Sequence, residues 1–307
     1  MRNTINQELC CGCKLCMEVC PCNIIGISDN QELIFIPDRE KICQKCGQCM
    51  AICSKQAITI EGLSYEANMF ELPEQTVAYK DLISFLSTRR SIRNFKDTPV
   101  PEEMISQILD SLSYAPYGAE PEKVNINVVN NRKVIEEALP HMEKFLDLII
   151  RWMDNPVASY MIKRKKGMET YNTIRNHLYP ISKLENYKLR FGDRITRNAP
   201  AIIIFHSDKK AEEHTNNSLI YATYTMLTAH SLGLGATMIG IVPAAINKVQ
   251  ILKDIFGIPK GHEAIMSVIL GYPKYKYRRV IKREMHPVSW INHAQVSAVP
   301  NPGSPKA

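Results

Sequence analysis

The sequence predicts an α+β fold in two parts, a small cysteine-rich domain of residues 1–61 and a larger domain of residues 80–287. Three observations predict this fold. Eight of the ten cysteines occur in two copies of the pattern C-x2-C-x2-C-x3-C, and none follows Cys53. Beyond residue 80, segments of helical periodicity alternate with short apolar segments typical of strands. The length of 307 residues accommodates the small domain and a second one of about 230 residues.

The cysteine pattern predicts two [4Fe–4S] clusters with crossed ligation. Three thiolates spaced three residues apart can bind one cubane from a single loop, and the fourth cysteine of such a motif reaches the other cluster. One cluster is therefore predicted to bind Cys10, Cys13, Cys16 and Cys53. The other is predicted to bind Cys20, Cys43, Cys46 and Cys49.

Zinc is the alternative occupant, because paired C-x-x-C elements also build tetrahedral sites. The third cysteine of each copy favours a cubane, since zinc sites usually take cysteines in separated pairs. A disulfide framework is disfavoured, because cysteines confined to two motifs are not typical of a secreted scaffold. Cys11 and Cys22 lie outside the pattern and are interpreted as small buried side chains near the clusters.

The first 60 residues resemble bacterial-type ferredoxins. Pro21 follows the first cysteine motif, as in those proteins, whereas Ser54 stands where a second proline is expected. The segments 21–37 and 55–60 are predicted to contain short strands around the cluster loops. Residues 62–79 are interpreted as a linker to the second domain.

The second domain has several elements that the pattern predicts directly. Helices are predicted from Asp81 and from Pro101, which suits a first helical turn. Strands are predicted over residues 125–129, 201–205 and 264–270. Small and apolar residues on all sides predict a buried helix over 218–232 that ends at Gly233. Residues 141–195 are helix-rich, and residues 288–307 are interpreted as a C-terminal tail.

Charge and hydropathy exclude several classes of protein. The formal net charge is +7, but residues 1–60 carry six basic and six acidic side chains, so the rest of the chain holds the whole excess. Two oxidised clusters would bring the first domain to about −4, which weakens a nucleic-acid interpretation. No stretch approaches the roughly 18 apolar residues of a membrane span, and the N-terminus lacks a signal-peptide pattern. We therefore expect a soluble, cytoplasmic protein that binds neither membranes nor nucleic acid.

Four segments of the second domain together resemble the nitroreductase family of FMN enzymes over roughly residues 80–285. Arg89, Arg90, Ser91 and Arg93 follow the first helix, and three segments come after them in order. These are Tyr-Ala-Pro-Tyr-Gly-Ala at 114–119, Leu-Gly-Leu-Gly-Ala-Thr-Met-Ile-Gly at 232–240 and Leu-Gly-Tyr-Pro at 270–273. The resemblance implies a homodimer with a mixed sheet flanked by helices. It also implies that the flavin binds at the subunit interface, partly against the helix at 218–232.

The resemblance also implies which residues bind the flavin. The phosphate site would comprise Arg89, Arg90, Ser91 and Arg93 with a late arginine, either Arg279 or Arg283. A phosphate of about −2 charge needs several charge-assisted donors, which guanidinium groups supply. The other implied contacts come from Met238, Ile239 and Gly240 to the ring and from the loop containing Pro116, Tyr117, Gly118 and Glu120.

Glu120 stands where the family has an asparagine. A carboxylate cannot donate as the amide does unless it is protonated, and a solvated loop acid is the other interpretation. His230 is interpreted as a core or interface histidine, and residues 163–166 as a solvated basic helix face or a docking site for an acidic electron donor. No catalytic side chain is predicted, because flavin N5 would carry the chemistry.

The leading hypothesis is an FMN oxidoreductase that receives electrons through its iron–sulfur clusters and reduces a nitro compound, a quinone or an activated alkene. No G-x-G-x-x-G motif follows a predicted strand, which removes one mode of NAD(P)H binding but leaves direct use of the flavin pocket by a nicotinamide open. Reduced ferredoxin or flavodoxin is the favoured donor. A flavin-binding or flavin-sequestering protein, or a redox sensor without a dedicated substrate, is the alternative. A DNA-binding regulator ranks third.

Overall fold

Residues 3–74, 77–182, 192–284, 287–292 and 295–299 are described by the computed structural model of the chain. The chain divides into two units, Met1–Ala78 and Tyr79–Ala307. In the described part of the chain, no helix is long and apolar enough to cross a membrane.

The first unit consists of short elements around the two cysteine motifs. Its helices are Leu15–Glu18 (α1), Gln48–Ile52 (α2) and Tyr65–Asn68 (α3), with a 3-10 turn at Pro37–Ile42. Its strands are Thr4–Ile5 (β1), Ile25–Ile27 (β2), Leu33–Phe35 (β3) and Ile58–Thr59 (β4). β1 pairs with β4 and β2 with β3, both antiparallel. The strands lie within the two segments where short strands are predicted, except β1.

The segment 62–79, predicted as a linker, is structured over its first part. The Ser64 hydroxyl caps α3 by accepting a hydrogen bond of 3.1 Å from the backbone N–H of Ala67. Leu63, Tyr65 and Met69 pack against the apolar core of the first unit. Partial burial of these three apolar side chains accounts for the ordered structure directly after the second cysteine motif.

The second unit is a sheet with helices on both faces. Its helices are Tyr79–Thr88 (α4), Glu102–Ser111 (α5), Arg132–Asp154 (α6), Pro156–Thr173 (α7), Tyr179–Ser182 (α8), His214–Ser231 (α9), Ile241–Ile246 (α10) and Gln250–Ile255 (α11). Short 3-10 turns occupy Leu112–Tyr114 and Pro121–Lys123, and a π-helical turn spans Ile174–Leu178. Its strands are Asn125–Val129 (β5), Ala201–Asp208 (β6), Gly235–Met238 (β7), His262–Gly271 (β8), Val288–Asn292 (β9) and Gln295–Val299 (β10).

The sheet has the strand order β5-β6-β8-β7, and neighbouring strands are antiparallel. The prediction was a sheet with both parallel and antiparallel pairs. Within the described residues, the parallel pairing of this sheet is limited to an isolated bridge between Ser91 and Ala236, at the edge formed by β7. All three predicted strands are present, and β5 has the predicted bounds.

Strand β6 is buried on both faces, which explains its continuous apolar run. Ile202 and Ile204 belong to the core on the side of α6, α10 and α11. Ile203 and Phe205 belong to the core on the side of α5 and α9. All four side chains are fully buried, so alternate residues must be apolar on each face.

The structure adds detail to two predictions about the second unit. Helix α9 buries Ala222, Thr225 and Ala229, but Leu219 is 39 % exposed, so within this chain the helix is buried on one side only. Within the segment interpreted as a tail, β9 and β10 pair antiparallel, and residues 293, 294 and 300–307 lie outside the described part. Gly233 ends α9 as predicted, with a left-handed φ of 77°.

A pair of histidines, buried His206 and half-buried His262, joins β5, β6 and β8. His206 is 2 % exposed, its Nε2 lies 3.1 Å from Oδ1 of Asn127, and its Nδ1 lies 3.0 Å from Nδ1 of His262. The Asn127 amide nitrogen donates to the carbonyls of Phe256 and Gly257, so its Oδ1 must accept from His206. His206 therefore carries a proton on Nε2. Burial, and then His262, lower its pKa to about 4.

We expect the stability of the second unit to fall as the pH drops from about 6.5 to about 4. The unfolded chain binds a proton at His206 below its ordinary pKa of 6.5, whereas the folded chain does so only below about 4. The free energy of unfolding should therefore decrease by about 3 kcal/mol across this window. Denaturant titrations followed by tryptophan fluorescence measure it, since Trp152 and Trp290 are the only tryptophans of the chain.

His206→Gln is the control for this prediction, because glutamine retains a donor toward Asn127 but does not titrate. Its free energy of unfolding should change with pH by about 3 kcal/mol less than that of the unaltered protein. Equal pH dependence of the two proteins would contradict the assignment.

Candidate functional site

The cysteines of the first unit surround two separate cavities. Cys10, Cys13, Cys16 and Cys53 line one of them, and Cys20, Cys43, Cys46 and Cys49 line the other. The structure therefore brings together the two sets predicted from the crossed pattern. Cys11 lines the first cavity and Cys22 the second. Cys22 is partly buried, but Cys11 is exposed, so the prediction that it is buried is wrong.

The two cysteine loops have the same backbone conformation. Gly12 and Lys14 in the first loop, and Lys45 and Gly47 in the second, all have left-handed φ values between 50° and 72°. Each pair occupies the second and fourth positions after the first cysteine of its motif. These turns curl each loop around its cavity, and a helix starts directly after each of them.

Burial makes these thiols poor acids on their own. It raises the pKa of Cys16 and of Cys43, and it raises the pKa of Cys49 to about 12. The backbone N–H groups of Lys45 and Ala57 point at Sγ of Cys43 and Cys53, both at 3.4 Å. Such donors stabilise a thiolate, so the loops suit thiolates neutralised by a positive centre.

The described residues do not form a mononuclear metal site. No group of three His, Cys, Asp or Glu side chains among them is arranged to hold one metal ion. A zinc ion would need four donors within about 2.3 Å of one point. The cysteines instead surround a cavity, and a cubane binds each thiolate at a different iron.

The second unit contains a cleft of about 590 Å³ between the end of α4, the end of α9 and the segment after β8. Its lining is Thr88, Arg89, Arg90, Ile92, Lys96, Met226, His230, Gly233, Leu234, Ala236, Tyr272, Pro273, Tyr275, Lys276, Tyr277, Arg278, Arg279 and Val280. Six of these residues are cationic and none is acidic. The cleft is therefore suited to an anion.

The position of Arg90 is fixed from two sides. Its Nη2 donates to the carbonyl of Arg279 at 2.6 Å, and its guanidinium carbon lies 4.0 Å from the centre of the Tyr277 ring. A stacked guanidinium keeps its remaining N–H groups in one plane and directs them consistently. Arg90 thus links the cationic segment after α4, residues 89–96, to the segment after β8, residues 272–280.

Strand register brings these two distant segments together. The N–H of Ile92 donates to the carbonyl of Ala236 at 3.1 Å, and Phe95 forms an antiparallel bridge with Pro273. A Cβ on Gly235 would lie 2.6 Å from Cβ of Ile92, so a glycine is needed there. Within the glycine-rich stretch at 233–240, Gly235–Met238 form the edge strand β7, and the missing side chain of Gly235 leaves room for Ile92.

His230 lies in the cleft, where the sequence did not predict a site residue. Its Nε2 is 3.0 Å from Oγ1 of Thr88, and its ring packs against Phe85 with centroids 5.1 Å apart. Because the Thr88 hydroxyl donates to the carbonyl of Phe85, Nε2 of His230 must be the donor. Burial, and then the charge of Arg89, lower the pKa of His230. It is therefore a neutral side chain that anchors the end of α4 beside the cationic segment.

The cleft contains only part of the predicted flavin site. Arg89, Arg90 and Arg279 line it, whereas the other predicted residues are not in its lining. These are Ser91, Arg93, Pro116, Tyr117, Gly118, Glu120, Met238, Ile239, Gly240 and Arg283. Sequence reasoning also missed Lys96, Lys276, Arg278, Tyr275 and Tyr277. The cations and tyrosines clustered at 274–279 were the available signal.

Glu120 behaves as an ionised loop acid. Its carboxylate pairs with Lys123 and accepts a 2.9 Å hydrogen bond from the backbone N–H of Glu212. Lys123 lowers the pKa of Glu120, which excludes the protonated form that could replace an asparagine donor. Asn217 holds the same loop, accepting from the N–H of Gly118 and donating to the carbonyl of Ala119.

Comparison with known proteins gives one consistent result. A protein of Methanothermobacter thermautotrophicus, named for an NADH dehydrogenase or NAD(P)H nitroreductase activity, is 27 % identical over 202 residues, covering 64 % of this chain and 80 % of that protein. One of Archaeoglobus fulgidus with the same name is 23 % identical over 64 % of this chain and 87 % of its own length.

The structural comparison gives a low overall similarity. A crystal structure of a Bacteroides fragilis nitroreductase with bound FMN is 19 % identical, with a TM-score of 0.46, covering 66 % of this chain and 95 % of that one. The model of the nitroreductase family matches residues 86–272, which include the sheet, α9 and most of the cleft. The chain therefore belongs to the nitroreductase family.

Proposed function

We propose that the chain is an FMN-dependent oxidoreductase in which two [4Fe–4S] clusters supply electrons for the reduction of a small organic acceptor. The observation that carries this proposal is the carboxylate-free cationic cleft inside a nitroreductase-family domain. The names of the two archaeal relatives agree with the oxidoreductase part of this proposal.

The cleft fits a flavin mononucleotide in size and charge. Its volume of about 590 Å³ lies within the roughly 300–1,000 Å³ usual for ligand sites. Arg89, Arg90 and Arg279 would hold the phosphate, with Arg90 oriented by Tyr277. Ile92, Leu234 and Met226 supply apolar surface. When bound, FMN supplies the conversion of single electrons into a transferable pair.

The first unit fits two cubanes. Each cavity is lined by the three cysteines of one loop and the last cysteine of the other, which is the ligand set of crossed two-cluster ligation. Burial disfavours the thiolate form of Cys49, and bound iron would neutralise the charge of that thiolate. The protein's part is to position and to shield the clusters.

Reduced ferredoxin or flavodoxin is the proposed electron donor, and NAD(P)H is the alternative that the names of the relatives support. The proposal includes a homodimer, supported by the exposed Leu219 on α9. A nitro compound, a quinone or an activated alkene is the proposed acceptor. No side chain in the cleft is assigned as an acid or base, since His230 is neutral and hydrogen-bonded to Thr88.

Anaerobic purification tests this proposal. We expect about eight irons, about eight sulfides and about one FMN per chain. Reduced ferredoxin should reduce the flavin at least about tenfold faster in the unaltered protein than in a variant with Cys13→Ala and Cys46→Ala, because both clusters would be lost. Stopped-flow absorbance measures this difference.

Two outcomes would contradict the proposal at different points. Rapid reduction of the flavin by NADPH in the cluster-free variant, at the rate of the unaltered protein, would reject the relay. Tight FMN retention without any acceptor reacting faster than with free reduced flavin would favour the flavin-binding or redox-sensing alternative.

A further inference from the structure

We propose that electrons enter this chain at the cluster of the first cysteine loop, and that an acidic single-electron carrier protein docks on the surface around that loop. This inference rests on the proposed function and names the surface that its external donor recognises. In the entry step the reduced carrier gives up one electron, which the first cluster accepts. No bond forms or breaks in this step, and no proton moves.

The two cysteine loops share a backbone conformation but differ in what covers them. Gly47 of the second loop is buried, and a Cβ there would lie 2.9 Å from Cε of Met69 and 3.3 Å from Cδ1 of Leu63. The equivalent position of the first loop, directly after its second motif cysteine, is Lys14, whose side chain is exposed. The second loop is therefore covered at a point where the first loop is open.

The cover of the second loop is α3 with the residues that flank it. The Tyr65 hydroxyl lies 3.4 Å from the carbonyl oxygen of Met50 in α2, and Met69 directly follows α3. All three side chains belong to or pack against the apolar core of the first unit. Because α2 begins directly after the second loop, these contacts hold the cover in place over that loop.

The exposure of the cysteines has the same asymmetry. Cys13 is exposed, whereas Cys46, which has the same place in the second motif, is partly buried. Cys11 lines the first cavity and is exposed as well. Leu15 and Ile52 also line that cavity and are 42 % and 37 % exposed. Because electron transfer slows steeply with distance, a carrier that docks over these residues has a short path to the first cluster.

Two lysines give this surface its positive charge. The two cysteine-bearing stretches that line the first cavity, 10–16 and 52–58, contain Lys14 and Lys55 and no carboxylate. Both lysines are exposed. Neither forms a salt bridge with an acidic side chain of the described residues. Within the described chain, both are therefore available to pair with carboxylates of a partner.

The surface suits a transient complex with a small acidic protein. Electron-transfer complexes bury less than about 1,200 Å² in total, so a compact apolar contact with a charged rim suffices. Lys14 precedes Leu15, and Lys55 lies three residues after Ile52, so each apolar side chain has a lysine near it in sequence. An oxidised cluster brings about −2, which the two lysines offset locally. The repulsion between an acidic carrier and the loaded first unit is therefore weakest here.

Carbodiimide cross-linking of the complete, cluster-loaded protein to an acidic plant-type [2Fe–2S] ferredoxin locates the contact. We expect amide cross-links from Lys14 and Lys55 to carboxylates of the ferredoxin, identified by mass spectrometry of the digested complex. Lys41 and Lys45 should stay unlinked to it, since Lys45 already lies 3.6 Å from the carboxylate of Glu61. Ferredoxin cross-links at Lys41 or Lys45 instead, or cross-links from Lys14 to a second copy of this chain, would overturn the inference.

Stopped-flow absorbance measures how fast the reduced ferredoxin reduces the clusters. The second-order rate constant should be at least about tenfold lower in a variant with Lys14→Glu and Lys55→Glu than in the unaltered protein. Reduced methyl viologen, a small cation that needs no docking surface, should react no more slowly with this variant. Lys41→Glu is the matched control, because Lys41 is exposed and precedes the second loop, and both rate constants should stay within about twofold.

The iron content separates failure of this inference from failure of the proposed function. If the double variant keeps about eight irons and its reduction by ferredoxin is not slowed, or is slowed equally with methyl viologen, the inference is overturned while the proposed function stands. Absence of iron from the unaltered protein overturns both. If only the double variant loses its iron, the cross-linking pattern of the unaltered protein decides.

Discussion

Cys53→Ala is expected to remove the cluster held by the first cysteine loop and to leave the cluster of its own loop in place. Cys53 lies 33 residues after Cys20 in the sequence, yet it lines the cavity of Cys10, Cys13 and Cys16. The iron content should fall from about eight to about four per chain, since each cubane has four irons. If each motif instead bound its own cluster, Cys53→Ala would remove the cluster of Cys43, Cys46 and Cys49 and leave the other in place.

Differential alkylation identifies which cluster is lost. In Cys53→Ala, iodoacetamide should modify the thiols released at Cys10, Cys13 and Cys16, whereas Cys43, Cys46 and Cys49 stay protected by their cluster. Mass spectrometry of the digested protein reads out the modified cysteines.

Two further variants complete the test of crossed ligation. Cys20→Ala should give the reverse labelling pattern, with the second loop released and the first protected. Cys11→Ala is the control, because Cys11 is exposed and outside the motif, and it should retain all the iron. Labelling of Cys43, Cys46 and Cys49 in Cys53→Ala would rule out crossed ligation.

The elements that could be predicted from the sequence are those that local patterns determine. The cysteine spacing is local, and both loops repeat the same pair of left-handed residues, Gly12 with Lys14 in the first and Lys45 with Gly47 in the second. The apolar run of β6 is recognisable because both its faces are buried. The helix from Pro101 follows from its periodicity and from its proline and acids at the start.

The composition of the cleft could not be predicted, because it depends on register between distant segments. Arg90 and Tyr277 are far apart in sequence and meet only because Phe95 bridges Pro273 and Ser91 bridges Ala236. Gly235 has a steric role toward Ile92, which no local pattern reveals. The ionised state of Glu120 depends on Lys123 and on a backbone N–H more than 90 residues away.

Arg90→Gln is expected to weaken FMN binding by roughly 10- to 100-fold. Charge-assisted hydrogen bonds contribute about 1.5–3 kcal/mol, and Arg90 is held at the cleft by its contacts with Arg279 and Tyr277. Arg90→Lys should give an intermediate loss, because lysine keeps the charge but not the planar fork. Quenching of flavin fluorescence on titration of the FMN-depleted protein measures the dissociation constants.

Arg93→Gln is the matched control, because Arg93 belongs to the same sequence motif but is exposed and outside the lining of the cleft. Its dissociation constant for FMN should stay within about twofold of the unaltered protein, as for a solvated surface charge. Riboflavin, which lacks the phosphate, should bind equally well to Arg90→Gln and to the unaltered protein. If Arg90→Gln weakened riboflavin and FMN by the same factor, Arg90 would support the shape of the cleft, and the phosphate would have to bind elsewhere.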